Sequence, residues 1–156
     1  VKGFDESWLR DYQTRQANQT APEPARAGEY SFTLKKPLIL PNRKKGLHWA
    51  AQSRLIHDLS QEVAQAIGRG PTEPIPRALV RVFRHGIQRP DDDNLTAALK
   101  WLLDVLQPRS KRHPYGLGII SGDDPEHLVS EIFHLKPRSR ADQKTVVTIS
   151  EVDPRK

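Results

Sequence analysis

The chain has 156 residues, enough for one domain with a core of its own. Lysine and arginine outnumber the acids by 25 to 19, and the net charge of +6 at pH 7 favours a polyanionic partner, nucleic acid first. The sequence has no cysteine, which excludes disulfides, thiol catalysis and cysteine-held zinc, and no apolar run as long as a membrane span. No signal-peptide pattern is present, so a cytoplasmic setting is expected; with no methionine in the sequence, Val1 is not expected to be a native start.

Phe4, Trp8, Leu9 and Tyr12 recur at helical spacing behind Asp5, Glu6 and Ser7, and predict a short amphipathic helix over 4–16. Thr20 to Gly28, with Pro22 and Pro24, reads as a linker. Residues 1–28 are therefore expected to form an arm, and residues 29–156 the domain. Tyr30 to Leu34 alternates and predicts the first strand. A loop with Pro37, Pro41 and Asn42 follows. It carries Arg43, Lys44 and Lys45, which either hold phosphates or lie solvated.

From His48 to Ile67, Leu55, Ile56, Leu59, Val63, Ala66 and Ile67 share one helical face, and Gly68 is placed to end the helix. Gly70 to Pro76 is a proline-rich connection. Ala78 to His85 alternates and is rich in Val, Leu and Phe, which predicts a second strand. The strongest helical stripe comes next: Leu95, Ala98, Leu99, Leu102, Leu103, Val105 and Leu106, stopped by Pro108. Trp101 lies off that stripe, at a subunit interface or on the free surface.

Arg109, Lys111, Arg112 and His113 make a second basic loop. His127 to Leu135 and Thr145 to Val152 predict two further strands, joined by a basic turn of hairpin length from Pro137 to Lys144. The expected order is β-α-β-α-β-β, an α+β sheet with its helices on one face.

The chemistry gathers at two acidic segments, Arg89-Pro90-Asp91-Asp92-Asp93-Asn94-Leu95 and Gly122-Asp123-Asp124. On an extended backbone Asp91 and Asp93 leave the same face. With Asp124 they form a set of oxygen ligands suited to a hard cation such as Mg²⁺, which would favour phosphodiester hydrolysis. Each piece also has an ordinary structural reading, the first as a helix cap and the second as a turn. Asp92 is expected to be solvated, Asp123 to neighbour a ligand, and Asn94 to order the helix start. The six histidines show no ligand-like i, i+4 pair, and no glycine-rich phosphate loop or serine-nucleophile motif occurs.

Asp91-x-Asp93-Asn94-Leu95, an amphipathic helix, then Gly-x-Ile-x-x-Gly-Asp123-Asp124 resembles the core of the RusA-like Holliday junction resolvases, from about Glu29 to Val152. The resemblance implies that Asp91, Asp93 and Asp124 are metal ligands and catalytic residues, with Mg²⁺ as cofactor and Mn²⁺ as a substitute. It further implies a homodimer that nicks four-way DNA junctions, leaving a 5′-phosphate and a 3′-hydroxyl, and a bacterial or phage source. The sequence departs from the family at one place. Where a catalytic lysine is expected one helical turn after the second aspartate stands Ala97, and Lys100 is the nearest helical lysine, either relocated to that task or paired with Asp104. Arg43, Lys44, Lys45, Arg89, Arg109, Lys111 and Arg112 are the expected DNA contacts. The alternatives are a junction- or DNA-binding protein with weak or lost catalysis and, less well supported, a metal-dependent nucleotide transferase.

Overall fold

A computed structural model describes residues 28–38 and 49–152. The predicted N-terminal arm, the Arg43–Lys44–Lys45 loop and His48 lie outside the described residues. The elements run β1 (Glu29–Leu34), α1 (Trp49–Ile67), β2 (Ala78–His85), α2 (Asp92–Leu106), β3 (Leu128–Leu135) and β4 (Lys144–Glu151), with a short 3₁₀ turn at Arg140–Asp142. This is the expected β-α-β-α-β-β order.

The four strands form one open sheet in the order β1-β4-β2-β3. β4 pairs antiparallel with both β1 and β2, and β2 pairs parallel with β3. The turn after β3 is hairpin-like in length, yet it does not join neighbours, because β2 lies between β3 and β4. The burial of β2 supplies the reason. Six of its eight residues are buried, a run that calls for a partner on each side.

Alternation along the strands sorts the side chains between two faces. Phe32, Leu34, Ala78, Val80, Val82, Leu128, Val147 and Ile149 point to the helix-covered face, where they pack with Val63 of α1 and Leu99, Leu102 and Leu106 of α2. Fully burying a side chain of this size contributes roughly 1.5–3 kcal/mol. The opposite face carries a smaller cluster of Phe83, Phe133, Leu135 and Val146, centred on two stacked rings 5.3 Å apart.

α2 buries all seven residues of its predicted stripe. α1 is less deeply seated: Val63 is buried, whereas Ala66, assigned to the stripe, is exposed. Gly68 ends α1 with φ +64° and donates its N–H to the Ala64 carbonyl at 3.2 Å, in the left-handed geometry that favours glycine.

Candidate functional site

The first acidic segment is delivered by the end of β2. Arg84 is buried there, and its guanidinium donates to the carbonyls of Leu38 (3.1 Å) and Gln88 (3.3 Å) and to Nδ1 of His134 (3.3 Å). Burial and the neighbouring Arg84 and Arg89 charges push the His134 pKa down, consistent with a neutral ring whose Nδ1 accepts. Gly86 makes room for this arrangement, since a Cβ there would lie 2.6 Å from Arg84 Nη1. The loop into α2 is thus tied to the sheet by one buried arginine.

Asp91 is the N-cap of α2. Its backbone is extended (φ −70°, ψ 166°), and its Oδ1 accepts from the Asn94 N–H at 2.9 Å. Asp92 and Asp93 already belong to the helix, where their charge complements the positive end of the dipole. All three aspartates are exposed, and Arg89 approaches Asp92 at 3.7 Å. The shared face expected of an extended Asp91–Asp93 pair therefore does not arise. The extended stretch ends at Asp91, and two helical steps rotate the chain by about 200°.

Asp124 has a different setting. Its Oδ1 accepts from the Glu126 N–H at 3.0 Å, closing a tight turn, and His127 Nδ1 donates to the carboxylate at 2.7–2.8 Å. The hydrogen bond from His127 holds the exposed carboxyl below its ordinary pKa, opposed by some desolvation and helped by the Glu126 N–H. The turn leads directly into β3, with the Leu128 N–H donating to the Asp124 carbonyl at 3.0 Å.

The sheet register separates the two segments. β2 and β3 are parallel and pair from Ala78↔Leu128 to His85↔Leu135. Asp91 and Asp93 follow the C-terminal end of that pair, and Asp124 precedes its N-terminal end. Eight residues of strand span about 23 Å between those ends. Carboxylates are the right donors for Mg²⁺, but their oxygens must all approach within about 2.1 Å of one ion. Among the described residues no group of three His, Asp or Glu side chains is placed to hold a metal. The structure thus brings Asp91 and Asp93 to one end of α2 and Asp124 toward the other.

Lys100 is exposed on α2 and borders a shallow recess with Thr96, Leu103 and Asp123. Its charge acts on Asp104 one turn further along. It therefore sits beside the second acidic segment, about 13 Å along the helix axis from Asp91. Ala97, at the position of the family lysine, is half-buried.

Arg109, Lys111 and Arg112 are exposed in the loop after α2, and Arg89 is exposed before it, so the candidate DNA contacts within the described residues fall at both ends of one helix. Sequence reasoning missed the polar group that this loop builds. Asp104 Oδ1 lies 3.9 Å from His113 Nδ1, and Tyr115 folds back on α1. The available signal was an aspartate in the last turn of α2, where the helix dipole favours cations. A scan of protein-family models matches none of the chain, and a search of curated proteins finds no match.

Proposed function

We propose that this protein is a metal-dependent endonuclease of RusA-like type that acts on branched DNA. The observation that carries the reading is the Asp-x-Asp-Asn-Leu segment opening α2, followed across that helix by Gly-Asp-Asp at the entry to β3. The basic loop at the far end of α2 and the net charge of +6 support a DNA partner. A four-way junction has approximate two-fold symmetry, so paired nicks in opposed strands call for two equivalent sites, which a C₂ homodimer supplies. The proposed setting is the cytoplasm; among the described residues no helix is long and apolar enough to cross a membrane.

A second reading is favoured by two specific observations: Ala97 stands where the family places a lysine, and the acidic segments lie at opposite ends of the β2–β3 pair. On that reading the protein binds junctions and cuts them weakly or not at all. One experiment separates the two. A synthetic four-way junction is incubated with wild type and Asp93→Asn, with and without Mg²⁺, and binding and nicking are both measured. The nuclease reading expects Mg²⁺-dependent paired nicks from wild type alone, with binding retained in the variant. Binding without nicks in either protein supports the second reading, and absence of junction binding rejects both.

A further inference from the structure

The loop from Gln107 to Ile120 is fastened to the last turn of α2. Leu117 N–H donates to the Val105 carbonyl (2.9 Å), Gly118 N–H to Gln107 (3.0 Å), and Ile119 and Ile120 N–H both to Leu106 (2.8 and 3.0 Å). These bonds satisfy carbonyls that a helix end otherwise leaves open. Gly116 is packed against the backbone of Gln107 and Pro108 so closely that any Cβ would collide with it. On the other side, Ser60 of α1 donates to the Tyr115 carbonyl at 2.8 Å, and the His57 ring lies 4.6 Å from the Tyr115 ring. The loop is therefore held at several points between the two helices.

Between them it borders an open cleft of about 210 Å³. The floor is apolar, from Ile56 and Val105. Tyr115 supplies an aromatic wall, with its hydroxyl 3.4 Å from Ser53 Oγ. Asp104 and His113 face the space as a half-buried acid and a ring nitrogen, and Arg112 stands exposed at the rim. Charge complementarity to the helix dipole accounts for the cations alone. It does not account for an acceptor, an aromatic wall and an apolar floor around one small space.

That set has a definite ligand chemistry. The volume is below the roughly 300–1,000 Å³ of drug-sized sites and suits one planar ring system. An aromatic wall offers stacking, a carboxylate accepts from amino or imino groups, and a rim arginine pairs with phosphate. We propose that this cleft binds a single unpaired nucleobase, stacked on Tyr115 with its amino or imino edge toward Asp104, while the adjoining phosphate rests on Arg112. Paired bases cannot enter, because their edges and faces are already occupied in the duplex. The site would thus distinguish opened or single strands from continuous duplex.

The test uses the full chain without Mg²⁺ and a short single-stranded DNA carrying one 2-aminopurine, with the same sequence fully paired as control. Wild type is expected to change the probe's fluorescence in the single strand and not in the duplex. Gln52→Trp, which puts a large side chain into the lining of the cleft, is expected to weaken that signal at least tenfold. Arg112→Ala, at an exposed position on the edge of the lining, is expected to weaken binding at least threefold and to lower the salt slope on the single strand by about 0.7. A wild-type signal equal in single strand and duplex, or wild-type behaviour in the Arg112→Ala protein, overturns the proposal. The assay contains neither junction nor metal, so the outcome is independent of whether the protein cuts.

Discussion

Burial keeps the His85 ring neutral. Desolvation first, then the charges of Lys144 and His134, lower its pKa from 6.5 to about 4. In the unfolded chain the same ring takes up a proton as the pH falls through 6.5, whereas the folded ring resists until about pH 4. Its contribution to stability is therefore complete above pH 6.5 and is lost as the pH falls through that window. After allowance for residual solvent screening the loss amounts to about 2 kcal/mol. Urea unfolding at pH 7.0 and 4.5 checks this: wild type should weaken by that order, and His85→Leu should weaken much less. His134, lowered in the same sense, adds to the slope. Asp104 has the opposite sign. Desolvation, ahead of its charged neighbours, raises its pKa, so its ionised form at neutral pH costs stability that returns on acidification. Asp124 acts only at lower pH, because its carboxyl is held below the ordinary value and its contribution is lost beneath about pH 3.8. A test at pH 4.5 therefore reads the histidines against Asp104 and leaves Asp124 out.

At the scale of elements, the entry to α2 shows how one aspartate serves folding independently of any chemistry proposed for it. The Asp91 carboxylate satisfies the Asn94 N–H, one of the open donors of the first turn. Asparagine caps about as well as aspartate and alanine does not. Asp91→Asn should leave the unfolding midpoint nearly unchanged, whereas Asp91→Ala should cost about 1 kcal/mol, read by thermal or urea unfolding. A loss of nicking in the Asn variant would then report chemistry and not unfolding. The elements themselves were legible in the sequence because period and stop signals are local: Ala78 to His85 alternates, Leu95 to Leu106 repeats at helical spacing, and Gly68 and Pro108 mark where helices end. Strand neighbours were not legible. Alternation in Leu128–Leu135 says which side chains share a face, but not that β2 separates this strand from β4. The same limit governs the acidic segments. Whether Asp91 and Asp93 share a face depends on where the helix begins, and capping by Asp91 moves that point ahead of Asp93. Their distance from Asp124 depends on strand direction, which the parallel β2–β3 pairing sets and no local pattern encodes.

Over the whole molecule, the arginines and lysines flanking α2 are divided between its two ends, with Lys100 on the helix between them. Arg89 stands before its first turn, and Arg109, Lys111 and Arg112 stand after its last. Fifteen helical residues separate these groups by about 21 Å. That exceeds the Debye length of about 8 Å at physiological ionic strength, so the two ends do not screen or reinforce each other appreciably. Each would meet its own phosphates on a branched substrate and release its own counterions. The loss of one phosphate contact lowers the slope of log affinity against log salt by about 0.9 on duplex arms. Effects of sites this far apart add within about 0.5 kcal/mol. Junction affinity measured between 50 and 200 mM salt should therefore show a slope reduced by about one for Arg89→Ala and by about two for Lys111→Ala with Arg112→Ala. The triple variant should show the sum. Arg89 carries a competing claim on its charge, since Asp92 lies 3.7 Å away. That pair is exposed, at 70% and 92% for the two side chains, so water screens it and the guanidinium stays available to phosphate. If the slope is unchanged in Arg89→Ala but reduced in the loop variants, DNA engages only the C-terminal end of α2. The acidic segment at the other end would then stand away from the bound strand, and the nuclease reading would lose its geometry while the nucleobase cleft beside Arg112 kept its own.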